Sequence, residues 1–142
     1  MDCSKNRSLT FCEENTTVAL FFKPQWQHKQ PEKRIAALEN LNPEEAKEIQ
    51  QELALNDPDN SVRQAALKRF TAIEELQNLL QRANTQQAEL IQKHLIQVLN
   101  GSTGIALNER LKNISQNSSN SILENIACHG QEPELRLQAL KV

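Results

Sequence analysis

The sequence predicts an all-α protein, a right-handed α–α superhelix of short antiparallel helix pairs, and three observations predict it. Arg34–Leu38, Arg63–Leu67 and Arg136–Leu140 share one pattern, an arginine, two variable residues and Ala-Leu, and a unit that recurs at helical spacing marks a stacked-repeat chain. A shift of 73 residues lays Ile49, Leu53, Ala54, Val62, Arg63, Ala66 and Leu67 over Ile122, Ile126, Ala127, Leu135, Arg136, Ala139 and Leu140, with Asp59 over Glu132. A shift of 29 residues relates the first arginine unit to the second, and a further 29 reaches a degenerate copy with Ala83, Ile91 and Ile96 in the apolar positions and Gln92 in place of the arginine. The composition agrees: 38% hydrophobic residues, three glycines and no tyrosine in 142 residues favour helix over sheet.

Residues 1–20 are polar and unpatterned and are expected to be frayed or disordered. The helical-repeat domain then runs over 21–142. Pro24 and Pro31 frame an extended lead-in, and Pro31 stands where a first helical turn tolerates proline, ahead of Arg34, Ala37, Leu38 and Leu41 on one face. Asn42-Pro43-Glu44-Glu45 starts a second helix with Ala46, Ile49 and Leu53 inward. Asp57-Pro58 repeats that start signal before a third helix that buries Val62, Ala66, Leu67 and Phe70.

Thr71 to Glu74 reads as a capping box that opens a fourth helix with Ile73, Leu76, Leu79 and Leu80. Asn84 with Gln87 opens a fifth, apolar on two sides (Ala88, Ile91, Leu95, Val98; Leu90, Ile96, Leu99), as suits a helix covered on both. Gly101 and Gly104 end it. A sixth helix is expected over 105–114, followed by a Ser/Asn loop through residue 121. Ser121 with Glu124 caps a seventh that stops at Gly130, and Glu132 starts an eighth. Leu38, Leu67, Ile96 and Leu140 are expected in one continuous core. The chain stops at Lys141-Val142 without a Gly or Pro signal, so it is expected to continue in a longer protein.

Helix pairs whose second member reads Asp-Pro-Asp-x-x-Val-Arg-x-x-Ala-Leu, as Asp57 to Leu67 does, resemble HEAT repeats. Pro31–Leu38 and Glu132–Leu140 resemble them more loosely. The stretch from Phe22 to Lys29 with the following Pro31-Glu32-Lys33-Arg34 is also similar to the opening of large, uncharacterised bacterial proteins that carry a C-terminal helical domain of unknown function. The resemblance implies a HEAT-like solenoid in a cytoplasmic bacterial protein and hands down no activity.

Function is read accordingly. The net charge of −2 supplies no global field for nucleic acid or anionic membrane. Residues 42–59 carry six acids against Lys47, whereas 60–70 carry Arg63, Lys68 and Arg69 with no acid. Cys3, Cys12 and Cys128 lack metal or redox spacing, and His28, His94 and His129 lack metal-ligand context. The expectation is therefore a non-enzymatic interaction scaffold, without metal, cofactor, membrane segment or small-molecule substrate, that presents a helical surface to a protein partner or to another domain of the same chain. A nucleic-acid-binding module is the alternative, using Lys33, Lys68, Arg69 and their neighbours. Trp26, Lys33, Lys68 and Arg69 are the candidate recognition residues. Arg34, Arg63 and Arg136 are structural repeat arginines, each expected to seek an acid or a helix-terminal carbonyl in an adjacent unit.

Overall fold

The computed structural model describes residues 23–142, which are helix and loop with no strand. The segment 1–20, with Cys3 and Cys12, lies outside the described residues. The chain divides into two compact units, Met1–Leu41 and Asn42–Val142. In the first, a 3-10 turn, Gln25–Gln27, precedes helix α1, Pro31–Glu39, which opens on its proline and buries Ala37, Leu38 and the stem of Arg34.

The second unit holds α2 (Pro43–Asn56), α3 (Asn60–Leu67), α4 (Ile73–Arg82), α5 (Thr85–Leu99), α6 (Leu107–Asn117), α7 (Asn120–His129) and α8 (Pro133–Lys141). Three short connections, 57–59, 83–84 and 130–132, fold α2 on α3, α4 on α5 and α7 on α8 as helical hairpins. The first two hairpins also touch like to like. Lys47 of α2 pairs with Glu75 of α4 at 2.7 Å, and Arg82 donates to Gln51 at 3.1 Å; α3 meets α5. Val62, Ala66, Leu76, Ile91 and Val98 are sealed between them, and Ile114, Ile126 and Leu135 do the same where α6, α7 and α8 meet.

The 73-residue repeat holds at the level of helix ends. α2 and α3 end at Asn56 and Leu67, while α7 ends at His129 and α8 spans Pro133–Lys141, so Asp57 and Gly130 are both end caps and Asp59 and Glu132 both start caps. It fails at Leu140. Leu67 is buried at the face that meets α5, whereas Leu140 is 73% exposed and Leu137 54%, because α8 meets its neighbours through Leu135 and Ala139 and no described helix covers the next face round. Ile96 is half-buried. The continuous core expected through Leu38, Leu67, Ile96 and Leu140 is therefore not formed.

Local starts differ in three places. α4 begins after Ala72 with no side-chain cap, so Thr71 and Glu74 make no capping box. At α3 the cap is Asp59, which accepts from the Ser61 amide at 2.8 Å, while Asp57 supports it from the turn before by accepting from the Asp59 amide at 2.9 Å. The Ser/Asn stretch is mostly helical: only Ser118 and Ser119 separate α6 from α7. Ser115 Oγ donates to Leu111 O at 3.0 Å and Asn113 Nδ2 to Glu109 O at 2.9 Å, so these side chains bond back along the helix rather than break it. The capping box of Asn84 and Gln87 forms as expected.

Candidate functional site

The repeat arginines share one position and one task. Each is the fourth residue of its helix, and each donates from Nη1 to the carbonyl six residues back: Arg34 to His28 at 2.8 Å, Arg63 to Asp57 at 2.6 Å, Arg136 to Gly130 at 3.0 Å. That carbonyl belongs in every case to the residue that ends the preceding helix or 3-10 turn. A helix leaves its last carbonyls without partners, and the usual remedy is a glycine in the left-handed region. This chain has three glycines, and only Gly101 and Gly104 among the described residues take a positive φ. A guanidinium from the next helix replaces the glycine cap and sits at the negative end of the preceding dipole, where a cation is favoured. The partner is thus a helix-terminal carbonyl, supplied within the hairpin rather than by the next one.

A fourth arginine belongs to this set and carries no Ala-Leu signature. Arg110 is the fourth residue of α6 and 5% exposed. Its Nη1 donates to Leu99 O and its Nε to Ile105 O, both at 3.0 Å, and its two terminal nitrogens grip Glu132 at 2.6 and 3.1 Å. One side chain thereby ties the end of α5, the α5–α6 connection and the start of α8. Gly101, at φ +94°, keeps the space open, since a Cβ there stands 3.1 Å from Arg110 Nη1. Position explains the vacancy at Gln92 as well. α5 starts at Thr85, so residue 92 is its eighth member, one turn too far along to reach back.

A groove runs between α3 and α5 of the second unit. One lobe, about 150 Å³, is lined by Gln64, Leu67 and Lys68 against Lys93, His94 and Gln97. The other, about 420 Å³, is lined by Asn60 and Arg63 against Gln86, Glu89 and Lys93. Leu90 floors both. The residues form two stripes at helical spacing, 60, 63–64 and 67–68 against 86, 89–90, 93–94 and 97, with the N-terminal ends together. The two helices therefore run in the same direction. Arg63 lines the groove with its guanidinium held in a fixed orientation by Asp57 O and, at 3.4 Å, by Asn60 Oδ1. His94 Nε2 lies 3.0 Å from Phe70 O; a carbonyl only accepts, so Nε2 carries the proton. Lys68 and Lys93 are exposed.

Of the recognition candidates, Lys68 lines the groove, Arg69 is exposed next to it, and both belong to the second unit. Trp26 is half-buried in the 3-10 turn and Lys33 exposed on α1, both in the first unit. Sequence reasoning missed Lys93, Gln64 and Gln97. Asn60, Gln64 and Lys68 are related to Glu89, Lys93 and Gln97 by the same 29-residue shift that relates the apolar positions, and that was the available signal. The opposite helices are acidic, with Glu44, Glu45, Glu48 and Glu52 exposed on α2. Cys128 is an exposed thiol near the end of α7. No group of three metal-ligating side chains lies together among the described residues, and no described helix is long and apolar enough to cross a membrane. No protein-family model matches the chain, and neither a curated protein nor a solved structure does.

Proposed function

We propose that this chain is a HEAT-like helical-repeat module of the cytoplasm, a right-handed stack of helix pairs that performs no catalysis. It acts by holding a segment of protein, from a partner or from another domain of the same chain, along the α3–α5 groove. The observation that carries this reading is the pair of facing stripes. They are open and co-directional, rich in carboxamides and cations, and set over an apolar floor, an arrangement that meets the hydrogen-bonding demands of an extended backbone. A peptide library selected against the purified chain tests it. Enriched peptides are expected to lose binding to Gln64→Trp, which fills the cleft from an exposed position, and equal binding to both proteins refutes the reading.

Arg63, Lys68 and Lys93 in one groove also favour a second reading, contact with nucleic-acid phosphates. Binding of that kind weakens with salt at a log-log slope of about −0.7 per phosphate contact on single strands. The acids of α2 and α4 belong to helices that pack against the groove helices α3 and α5 and offset the groove cations within a Debye length of about 8 Å, so no sub-micromolar binding to DNA or RNA is expected at physiological salt. Tight binding with a steep slope, lost on Lys68→Glu with Arg69→Glu, reverses the order of the two readings.

A further inference from the structure

The groove differs in charge from the rest of its unit. Arg63, Lys68 and Lys93 line it against Glu89 alone, and neither lysine is ion-paired among the described residues. α2, by contrast, exposes four carboxylates. Resting on the reading of the groove as a peptide site, we infer that its occupant is an extended acidic segment with carboxylates on alternate residues.

The spacing supports this. Arg63 on α3 and Lys68, the residue that caps the end of α3 with helical backbone angles, are five residues apart, about 7.5 Å along the axis. Side chains on one face of an extended chain recur every about 6.6 Å. Lys93 reaches both lobes, so it meets a carboxylate in either. The stripe from Gln86 to Gln97 spans about 16 Å, the length of roughly five extended residues. The carboxamides of Asn60, Gln64, Gln86 and Gln97 each offer both a donor and an acceptor to the amides between those carboxylates. A nucleic acid fits less well. Glu89 shares a lobe with Arg63 and repels a continuous row of phosphates, and the lining residues include no Phe or Trp for base stacking. A basic segment is drawn instead to α2.

The test uses the purified chain, a labelled short peptide of alternating Glu and Ser, and matched peptides with Lys or Gln in place of Glu. A single-stranded oligonucleotide of similar length completes the set. Anisotropy reports affinity, and the side-chain carboxamide resonances of Gln64 and Gln97 report the site. The acidic peptide is expected to bind at least about tenfold more tightly than the Gln peptide at low salt and to shift both carboxamides. Lys68→Glu with Lys93→Glu should lose about tenfold or more, Lys68→Arg with Lys93→Arg should retain binding, and Lys112→Gln on α6 should change nothing. Equal binding of the Gln or Lys peptide at the same resonances overturns the acidic assignment and leaves the groove reading standing. The oligonucleotide displacing the peptide from those resonances with a steep salt slope overturns it in favour of nucleic acid. If no peptide moves Gln64 or Gln97, the inference and the groove reading fall together.

Discussion

Truncating Arg110 is the sharpest test of what holds the second unit together. The side chain is 6% exposed and makes four hydrogen bonds, two to the backbone carbonyls of Leu99 and Ile105 and two to Glu132. A hydrogen bond to a charged group contributes about 1.5–3 kcal/mol, and a buried polar group left without its partner costs the desolvation it no longer recovers. The four do not add. Glu132 is 37% exposed and rehydrates once released, so its share falls toward the about 1 kcal/mol of a surface pair. The two carbonyls and the lost packing of the aliphatic stem supply the rest, and the total for Arg110→Ala is about 3 kcal/mol.

Glu132→Gln, which keeps one acceptor oxygen and removes the charge, should cost about 1 kcal/mol, and Arg110→Lys should fall between the two. Lys47→Ala serves as the reference, because its pair with Glu75 is 63% and 33% exposed and such pairs contribute about 0.5 kcal/mol or less. Urea unfolding followed by circular dichroism reads all four, with unchanged slopes as the check that midpoints report stability. If Arg110→Ala unfolds within 1 kcal/mol of Lys47→Ala, a difference of roughly the error on a surface substitution, the reasoning is refuted.

Three further outcomes rest on the same structure. Leu67→Ala should cost about 2–5 kcal/mol and Leu140→Ala less than about 0.5, although the two positions are equivalent in the repeat, because one is 2% exposed and the other 73%; equal losses in urea unfolding would place Leu140 in a core. Gly130→Ala should destabilise by roughly 1–3 kcal/mol, since its Cβ would meet Ile126 O at 2.5 Å and Arg136 Cγ at 3.1 Å; thermal unfolding reads this, and an unshifted midpoint counts against the close approach. Gln92→Arg, which restores the repeat pattern, should change stability by no more than about 0.5 kcal/mol, and a larger stabilisation would mean that an arginine two turns into α5 does reach a helix end.

The apolar skeleton was legible because periodicity and burial report the same thing. Val62, Ala66, Ile91 and Leu135 are inward in the sequence pattern and sealed in the structure. The helix boundaries around the Ser/Asn stretch were not legible, because Ser and Asn serve equally well in a turn and bonded back onto their own helix, and only the tertiary setting of α6 decides between the two. At the site the difficulty was one of description. In the sequence the arginines stand out by the Ala-Leu three residues later, whereas their common property is their place, the fourth in a helix, from which a guanidinium reaches the end of the helix before. Arg110, succeeded by Leu-Lys-Asn-Ile, passes the second criterion and fails the first.

The groove was missed for a related reason. Charge counted along 60–70 sees Arg63, Lys68 and Arg69 as one run, yet a surface made from neighbouring helices draws every third or fourth residue of each. The 29-residue shift that matched Val62 with Ile91 also brings Gln64 onto Lys93 and Lys68 onto Gln97. Applied to polar positions, it assembles Lys68 and Lys93 into one site and leaves Arg69 outside it. A repeat therefore specifies its outer face by the same arithmetic as its core, and the residues that share the groove with Lys68 come from the equivalent helix of the next hairpin as well as from its own.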